Sequence, residues 1–597
     1  MKFPDVFVFL ALLAGSGANE QEKFTEELFI RQTSTGHIYS HFRFLTLWET
    51  DIRDADARAH FRLFPRTLGD ILATFRVQEL KLALTQGFWR TEKWGYPVES
   101  APPGGMVVAR FLPSVENVDE AWSGLTSSLA GLLCASLNKL DQREAIQPEY
   151  TFSNEGISGD GLSSNSSYLR YGLLPRENMC TENLTPWKKL LPCKTRRGLA
   201  TLINSGHMQK YSSYQSIGLS IRPVCIDPAC STPSIELKQT MSVVFDPVIM
   251  NRKADNVNWS LKQMFGIGLT PSCPLSHTST AFIDVTDAGY NLEPPPQKVL
   301  DFGGGKPRKI GVYDLKTFSE EGIRDIRAVY PKAHIYGVVR SLPVQVSRHV
   351  VGTGQERGGI VTTIKNTCST PLTGVYLDLV PWYIRVYLHT LRVEVNGEKI
   401  SPERVVYRPG QDRVKPYHLE MVLKLPPRST TTITVETEYS VLRWTEYPPD
   451  ANHGFYIGSA VLTTRLPQDS RSNATFTHRM DSSLNYIFWG NPETDSVLNI
   501  FTETLLVTMP TPDFSMPYNV ICLACTVAAL AFGPIHNITT RSLVLVPPEE
   551  EEKSLLGKLL APLLSLFSSI LGKTKSAKID QPAESTESTE PTESKDK

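Results

Sequence analysis

No excess of charge of either sign runs through the 597 residues: 61 lysines and arginines face 62 aspartates and glutamates, for a formal net charge of −1. A chain so balanced has no overall field to draw nucleic acid or an anionic surface, so no nucleic-acid partner is expected and recognition must be local. A phosphate loop is lacking as well. Gly303-Gly304-Gly305-Lys306 is followed by Pro307 where a Ser or Thr should stand, and the earlier glycine of that loop is absent. Asp301-Phe302-Gly303 has no HRD loop ahead of it, which removes a kinase reading. No internal repeat is found, and 597 residues exceed what one compact core holds, so two or more folded units are expected.

A catalytic set is equally hard to assemble. His453-Gly454 matches the His-Gly pair of caspase-like cysteine peptidases, but the cysteines that follow, Cys522 and Cys525, lie inside an apolar stretch. Cys522-Leu523-Ala524-Cys525 has the spacing of a metal knuckle without a second pair or a His cluster to complete it. The sequence therefore predicts no catalytic residue, no metal and no cofactor.

Long apolar runs are confined to the ends. Lys2, the run Val6 to Ala14 and the small residues Ser16-Gly17-Ala18 read as a cleaved secretory signal over 1–18. Near the other end, Val520 to Ile538 carries no Asp, Glu, Lys or Arg, and Arg541 follows, as for a span that ends in the cytosol. A transmembrane helix is expected over 519–540, in a type I orientation. Gly533, His536 and Asn537 are the small and polar positions it would turn toward neighbouring helices. The tail 541–597 combines a Leu-rich amphipathic stretch, Leu555 to Leu571, with a Ser, Thr, Glu and Pro-rich end that has too little apolar surface to order itself. Because that polar tail follows the apolar stretch, it does not fit a glycosylphosphatidylinositol (GPI) attachment signal.

Strand signals dominate between the ends. Leu391, Val393 and Val395 alternate with polar residues and run into Asn396-Gly397, a hairpin turn pair. Ile433, Val435, Thr437 and Tyr439 alternate likewise, and Met241 to Phe245 and Val375 to Tyr387 are dense enough for strands covered on both faces. One helix is marked by Val118, Trp122, Leu125, Leu129 and Leu132 at spacings of three and four. The fold class predicted is mainly β with some helices: β-sandwich-like lumenal regions over 19–295 and 310–515, divided at the Pro- and Gly-rich stretch near 300, plus the C-terminal transmembrane helix.

In a secretory chain the Asn-x-Ser/Thr triplets at Asn165, Asn183, Asn258 and Asn473 become candidate glycosylation sites. The cysteines before the span are Cys134, Cys180, Cys193, Cys225, Cys230, Cys273 and Cys368, an odd number that leaves one thiol free or bound to another chain. Cys225 and Cys230 are close enough in sequence to pair, and so are Cys180 and Cys193.

The block Cys180 to Cys193 (CTENLTPWKKLLPC) resembles the most characteristic segment of the PIG-T family, subunits of the GPI transamidase. Further similar blocks are Thr85 to Gly95 (TQGFWRTEKWG), Val380 to Leu391 (VPWYIRVYLHTL), Trp444 to Tyr456 (WTEYPPDANHGFY) and Pro510 to Leu523 (PTPDFSMPYNVICL). The resemblance implies a non-catalytic scaffold in the endoplasmic reticulum membrane, partnered by a caspase-like catalytic subunit through a disulfide from Cys180. It also implies other membrane subunits as partners and a GPI lipid near the membrane helix. A secreted or surface glycosidase, or a β-rich adhesion receptor, is the alternative of a different class.

Overall fold

The computed structural model describes residues 22–543 except 54–60, 142, 153–161, 163, 194–196, 226–232, 251–257, 287–288, 303–307, 319–323, 332–341, 353–355, 449, 467–496, 512 and 514. The expected signal segment, Asn473, Cys230 and the Leu555 to Leu571 stretch lie outside the described residues. Two units are present, 1–512 and 513–597.

In the first unit, ten strands form one sheet, in the spatial order 298–302, 308–314, 278–284, 22–32, 38–48, 234–245, 212–224, 77–86, 104–111, 169–174. All pairs are antiparallel except Glu22–Gln32 against Thr278–Asp284, which run parallel. Period-two alternation divides the side chains between the faces. Leu28, Ile30, Phe42 and Phe44 point to one core, where they meet Trp122, Leu125 and Leu129 of the helix Val118–Leu133 and Trp187 of the helix Thr181–Lys189. Phe29 and Tyr39 point the other way, into an aromatic group with Trp89, Trp94 and Tyr214. The TQGFWRTEKWG block supplies both tryptophans, whose rings meet edge to face 5.3 Å apart.

The same unit contains a β-sandwich. One sheet runs 344–351, 357–366, 429–439, 384–395, 398–400, and the other 404–408, 417–425, 372–380, 461–465, 497–501. Val344, Ile364, Val393 and Ile433 of the first interdigitate with Tyr376, Leu419, Met421 and Leu462 of the second. Asn396 and Gly397 both take positive φ, 51° and 90°, so the expected two-residue hairpin forms, with Val395 paired to Glu398. The dense run Val375 to Tyr387 is two strands, Leu372–Val380 and Ile384–Val395, because Pro381 stands between them.

Strand pairing continues on both sides of the stretch near residue 300 where a division is expected. Strands Lys298–Phe302 and Arg308–Asp314 pair with each other, and the second of them pairs with Thr278–Asp284, so the first sheet continues to Asp314. The sheet's outer face and the sandwich share a core of Ala83, Met106, Tyr171, Leu377, Val461 and Phe501. Polar links reinforce it: Val344 N donates to Tyr96 Oη at 2.9 Å, and the buried Glu420 carboxylate accepts from the backbone of Glu149, Tyr150 and Thr151 at 2.8, 3.0 and 2.6 Å.

The second unit contains one described helix, Ser515–Thr540, 26 residues with none buried within the protein and a mean hydropathy of 1.8 over its most apolar 18 residues. At 1.5 Å per residue it is about 39 Å long, enough to cross a bilayer.

Candidate functional site

Helix Thr181–Lys189 is short and polar in its outer half, so tertiary anchoring must hold it. Leu184 and Trp187, three apart, are buried on its inner face. Trp187 Nε1 donates to Gly218 O at 3.0 Å and its ring meets Phe44 edge-on. Lys188 Nζ reaches Ile203 O at 2.8 Å. The characteristic residues of the block are thus largely those that bolt the helix to the sheet.

Cys180 is the N-cap of this helix, with extended backbone (φ −141°, ψ 179°), and is half-buried. Asn183, one turn on, reaches back so that its Oδ1 accepts from Cys180 N at 3.1 Å and from Cys180 Sγ at 2.9 Å. Its Nδ2 donates to Leu133 O at 3.1 Å and Cys134 O at 2.7 Å. Those are terminal carbonyls of helix Val118–Leu133, which Cys134 ends in a left-handed conformation (φ 52°). One carboxamide therefore ties the cap of one helix to the end of another and fixes the thiol between them.

The local alternative for Cys180 is closed. Cys193 is bonded to Cys273, across 80 residues, with Cα atoms 5.9 Å apart. Cys180 is a free thiol within this chain. Cys225 is in a disulfide.

The glycosylation candidates separate by burial. Asn165 is exposed, though its Oδ1 accepts from Ser167 N at 3.0 Å. Asn258 is half-buried and accepts from Tyr330 N at 2.9 Å. Asn183 is 1% exposed and both its amide hydrogens are committed, to Leu133 O and Cys134 O, which leaves little room for a glycan in the folded protein. A triplet alone shows none of this, since the same asparagine serves a capping interaction that sequence spacing only hints at.

His453 Nε2 lies 2.8 Å from Tyr456 Oη on the surface. A cavity of about 500 Å³ is lined by Lys139, Glu144, Arg176, Glu177, Tyr383 and Tyr456, among others. Its two carboxylates do not make a free pair, because Glu177 Oε1 accepts from Ser136 N at 2.8 Å. In the apolar helix, Gly533, His536 and Asn537 stand at i, i+3 and i+4 and so share one face.

Comparison with known proteins agrees with the sequence resemblance. The chain is 37% identical over 577 residues to the mouse GPI-anchor transamidase component PIGT, covering 93% of this chain and 96% of that protein. It is 38% identical over 557 residues to the human one, covering 91% and 94%. It is 28% identical over 575 residues to the GPI transamidase component GPI16 of Saccharomyces cerevisiae, covering 87% and 88%. Among solved structures, an exo-β-N-acetylglucosaminidase of Vibrio harveyi matches 29% of this chain and 19% of its own at a TM-score of 0.15 and 8% identity, too slight to bear on function. The family model described as "Gpi16 subunit, GPI transamidase component" matches residues 7–257 and 249–567, so the chain belongs to the Gpi16 family.

Proposed function

We propose that this protein is a non-catalytic scaffold subunit of a GPI transamidase, holding a caspase-like catalytic subunit through a disulfide from Cys180 during attachment of GPI anchors in the endoplasmic reticulum. The relatives named above are transamidase components, which supports membership of such a complex. The observation that carries the tether is the setting of Cys180: a half-buried, free thiol on a helix cap held by Asn183, with Cys193 already taken by Cys273. A disulfide between chains turns a modest interface into a tethered one of high effective concentration. In this reading the body lies in the lumen, helix Ser515–Thr540 crosses the membrane in type I orientation, and its Gly533, His536 and Asn537 face meets other membrane subunits near the GPI lipid.

The test is to purify the full-length protein from its native membrane, compare non-reducing with reducing gels, and identify the Cys180 peptide by mass spectrometry. A caspase-like polypeptide released on reduction and cross-linked at Cys180 is the expected result, abolished by Cys180→Ser. A free Cys180 with no such partner would overturn the tether.

A further inference from the structure

Two of the blocks that carry the sequence resemblance meet in the wall of the cavity of about 500 Å³. The block Val380 to Leu391 contributes Tyr383, and Trp444 to Tyr456 contributes Phe455 and Tyr456. The rings of Tyr383 and Phe455 pack 5.2 Å apart, and Tyr456 Oη is held 2.8 Å from His453 Nε2. With Leu379 beside them they form an aromatic and aliphatic wall in a cavity whose volume falls within the range of about 300–1,000 Å³ usual for binding pockets. Two cations and two carboxylates complete the lining, among them Arg176, whose guanidinium lies over the Tyr456 ring at 5.7 Å.

Another part of the wall leads to Cys180. Glu177, in the lining, stands three residues ahead of it, which places the two Cα atoms at most about 11 Å apart. Glu177 Oε1 accepts from Ser136 N, and Lys139, just beyond, lines the cavity too. That second segment begins at Cys134, whose carbonyl is bound by the same Asn183 that holds the Cys180 thiol. The wall is thus tied to the setting of the thiol through two stretches of chain. A polypeptide bonded at Cys180 has its cysteine fixed there, and five extended residues beyond that cysteine span up to about 18 Å, enough to pass Glu177 and enter the cavity. An apolar, tyrosine-bearing centre with charges of both signs around it is the anatomy of a protein interface, whereas a site for a small anion would carry an excess of cations.

We infer that this cavity receives an extended segment of the partner bonded at Cys180, namely the residues next to that partner's bonded cysteine, with a large apolar side chain seated against Leu379, Tyr383 and Tyr456. The inference rests on the tether proposed above. It gives both parts of the body a share in holding the partner, since the sheet side carries the thiol and the sandwich supplies the aromatic wall.

The test places the photoreactive p-benzoylphenylalanine at position 456 of the full-length chain, where Tyr456 is half-buried. Native membranes are irradiated, disulfides are then reduced, and the cross-linked peptide is identified by mass spectrometry. The expected cross-link joins position 456 to the polypeptide that Cys180 bonds, within about five residues of its bonded cysteine. A second measurement reads the cavity without the covalent bond: after reduction, the partner is expected to leave Tyr456→Ala about tenfold faster than the wild type. A Cys180-linked partner on non-reducing gels with no cross-link from position 456, or with one to a remote segment or to another polypeptide, would overturn the docking cavity and leave the tether standing. Equal rates of release from the wild type and Tyr456→Ala would overturn it as well. A chain with no Cys180-linked partner at all would sink the tether, and the inference with it.

Discussion

At Asn183 the carboxamide serves two chain segments at once, accepting from the Cys180 cap and donating to the carbonyls of Leu133 and Cys134. Asn183→Ala leaves buried polar groups without partners, a loss of about 1–3 kcal/mol. It also frees the thiol to wander. The variant is expected to lower the urea midpoint and to yield less of the reduction-sensitive complex on non-reducing gels. Removal of N-glycans should shorten wild type and Asn183→Gln by the same number of glycan steps, because the folded protein leaves little room for a sugar there. A different burial effect acts at His41. Desolvation pushes its imidazole down to about 3, outweighing the pull of Glu99. The unfolded chain then binds a proton that the folded one refuses, so stability is lost as pH falls from about 6.5 toward 3, by up to about 4 kcal/mol. Urea midpoints measured at pH 7 and at pH 4.5 should differ less in His41→Gln than in the wild type.

Elements declared by local chemistry were legible in the sequence, and those made by distant contacts were not. The Asn396-Gly397 turn requires two positive φ angles and advertises them by residue type, while helix Val118–Leu133 shows its inner face in the spacing of Trp122, Leu125 and Leu129. In contrast, nothing local says that Thr278–Asp284 lies parallel to Glu22–Gln32, or that Cys193 bonds to Cys273, because both depend on the path of the chain between them. Pro- and Gly-rich residues near 300 mark an interruption equally well between domains or at a sheet edge, and the strands on either side, Lys298–Phe302 and Arg308–Asp314, pair with each other at the edge of the sheet. Cys180 was marked in the sequence only by the family resemblance, and its fixing by Asn183 was hidden behind a triplet that reads as a glycosylation signal. Glu420 shows the same limit at the scale of a loop. Burial raises its carboxyl, and the His418 imidazole 3.7 Å away, with bonds from Thr151 and the 149–151 backbone, more than offsets this, leaving it below the usual carboxylate value of 4.5. Its contribution is therefore complete above pH 4.5 and lost as pH falls through the lowered value. Glu420→Ala should cost about 2–4 kcal/mol, and amide exchange at Glu149, Tyr150 and Thr151 should quicken selectively.

For the whole molecule, the question is whether the ten-stranded sheet and the sandwich are separable bodies or one cooperative fold. The shared core argues for one: Leu377, 1% exposed on a sandwich strand, packs in the same cluster as Met106 and Tyr171 of the sheet. If the protein holds a partner at Cys180, as proposed above, such rigidity would serve it, since a hinge between sheet and sandwich would let the tethered partner drift. Leu377→Ala removes buried methyl groups from that junction and should cost about 2–4 kcal/mol in transfer and cavity terms. If the two parts unfold together, the midpoint followed by the buried Trp122 and Trp187 of the sheet side must fall by the same amount as one followed by hydrogen exchange of Leu419, Met421 and Leu423 in the sandwich. A shift in the sandwich probe alone would mean that the sheet, and Cys180 with it, is held independently of the sandwich.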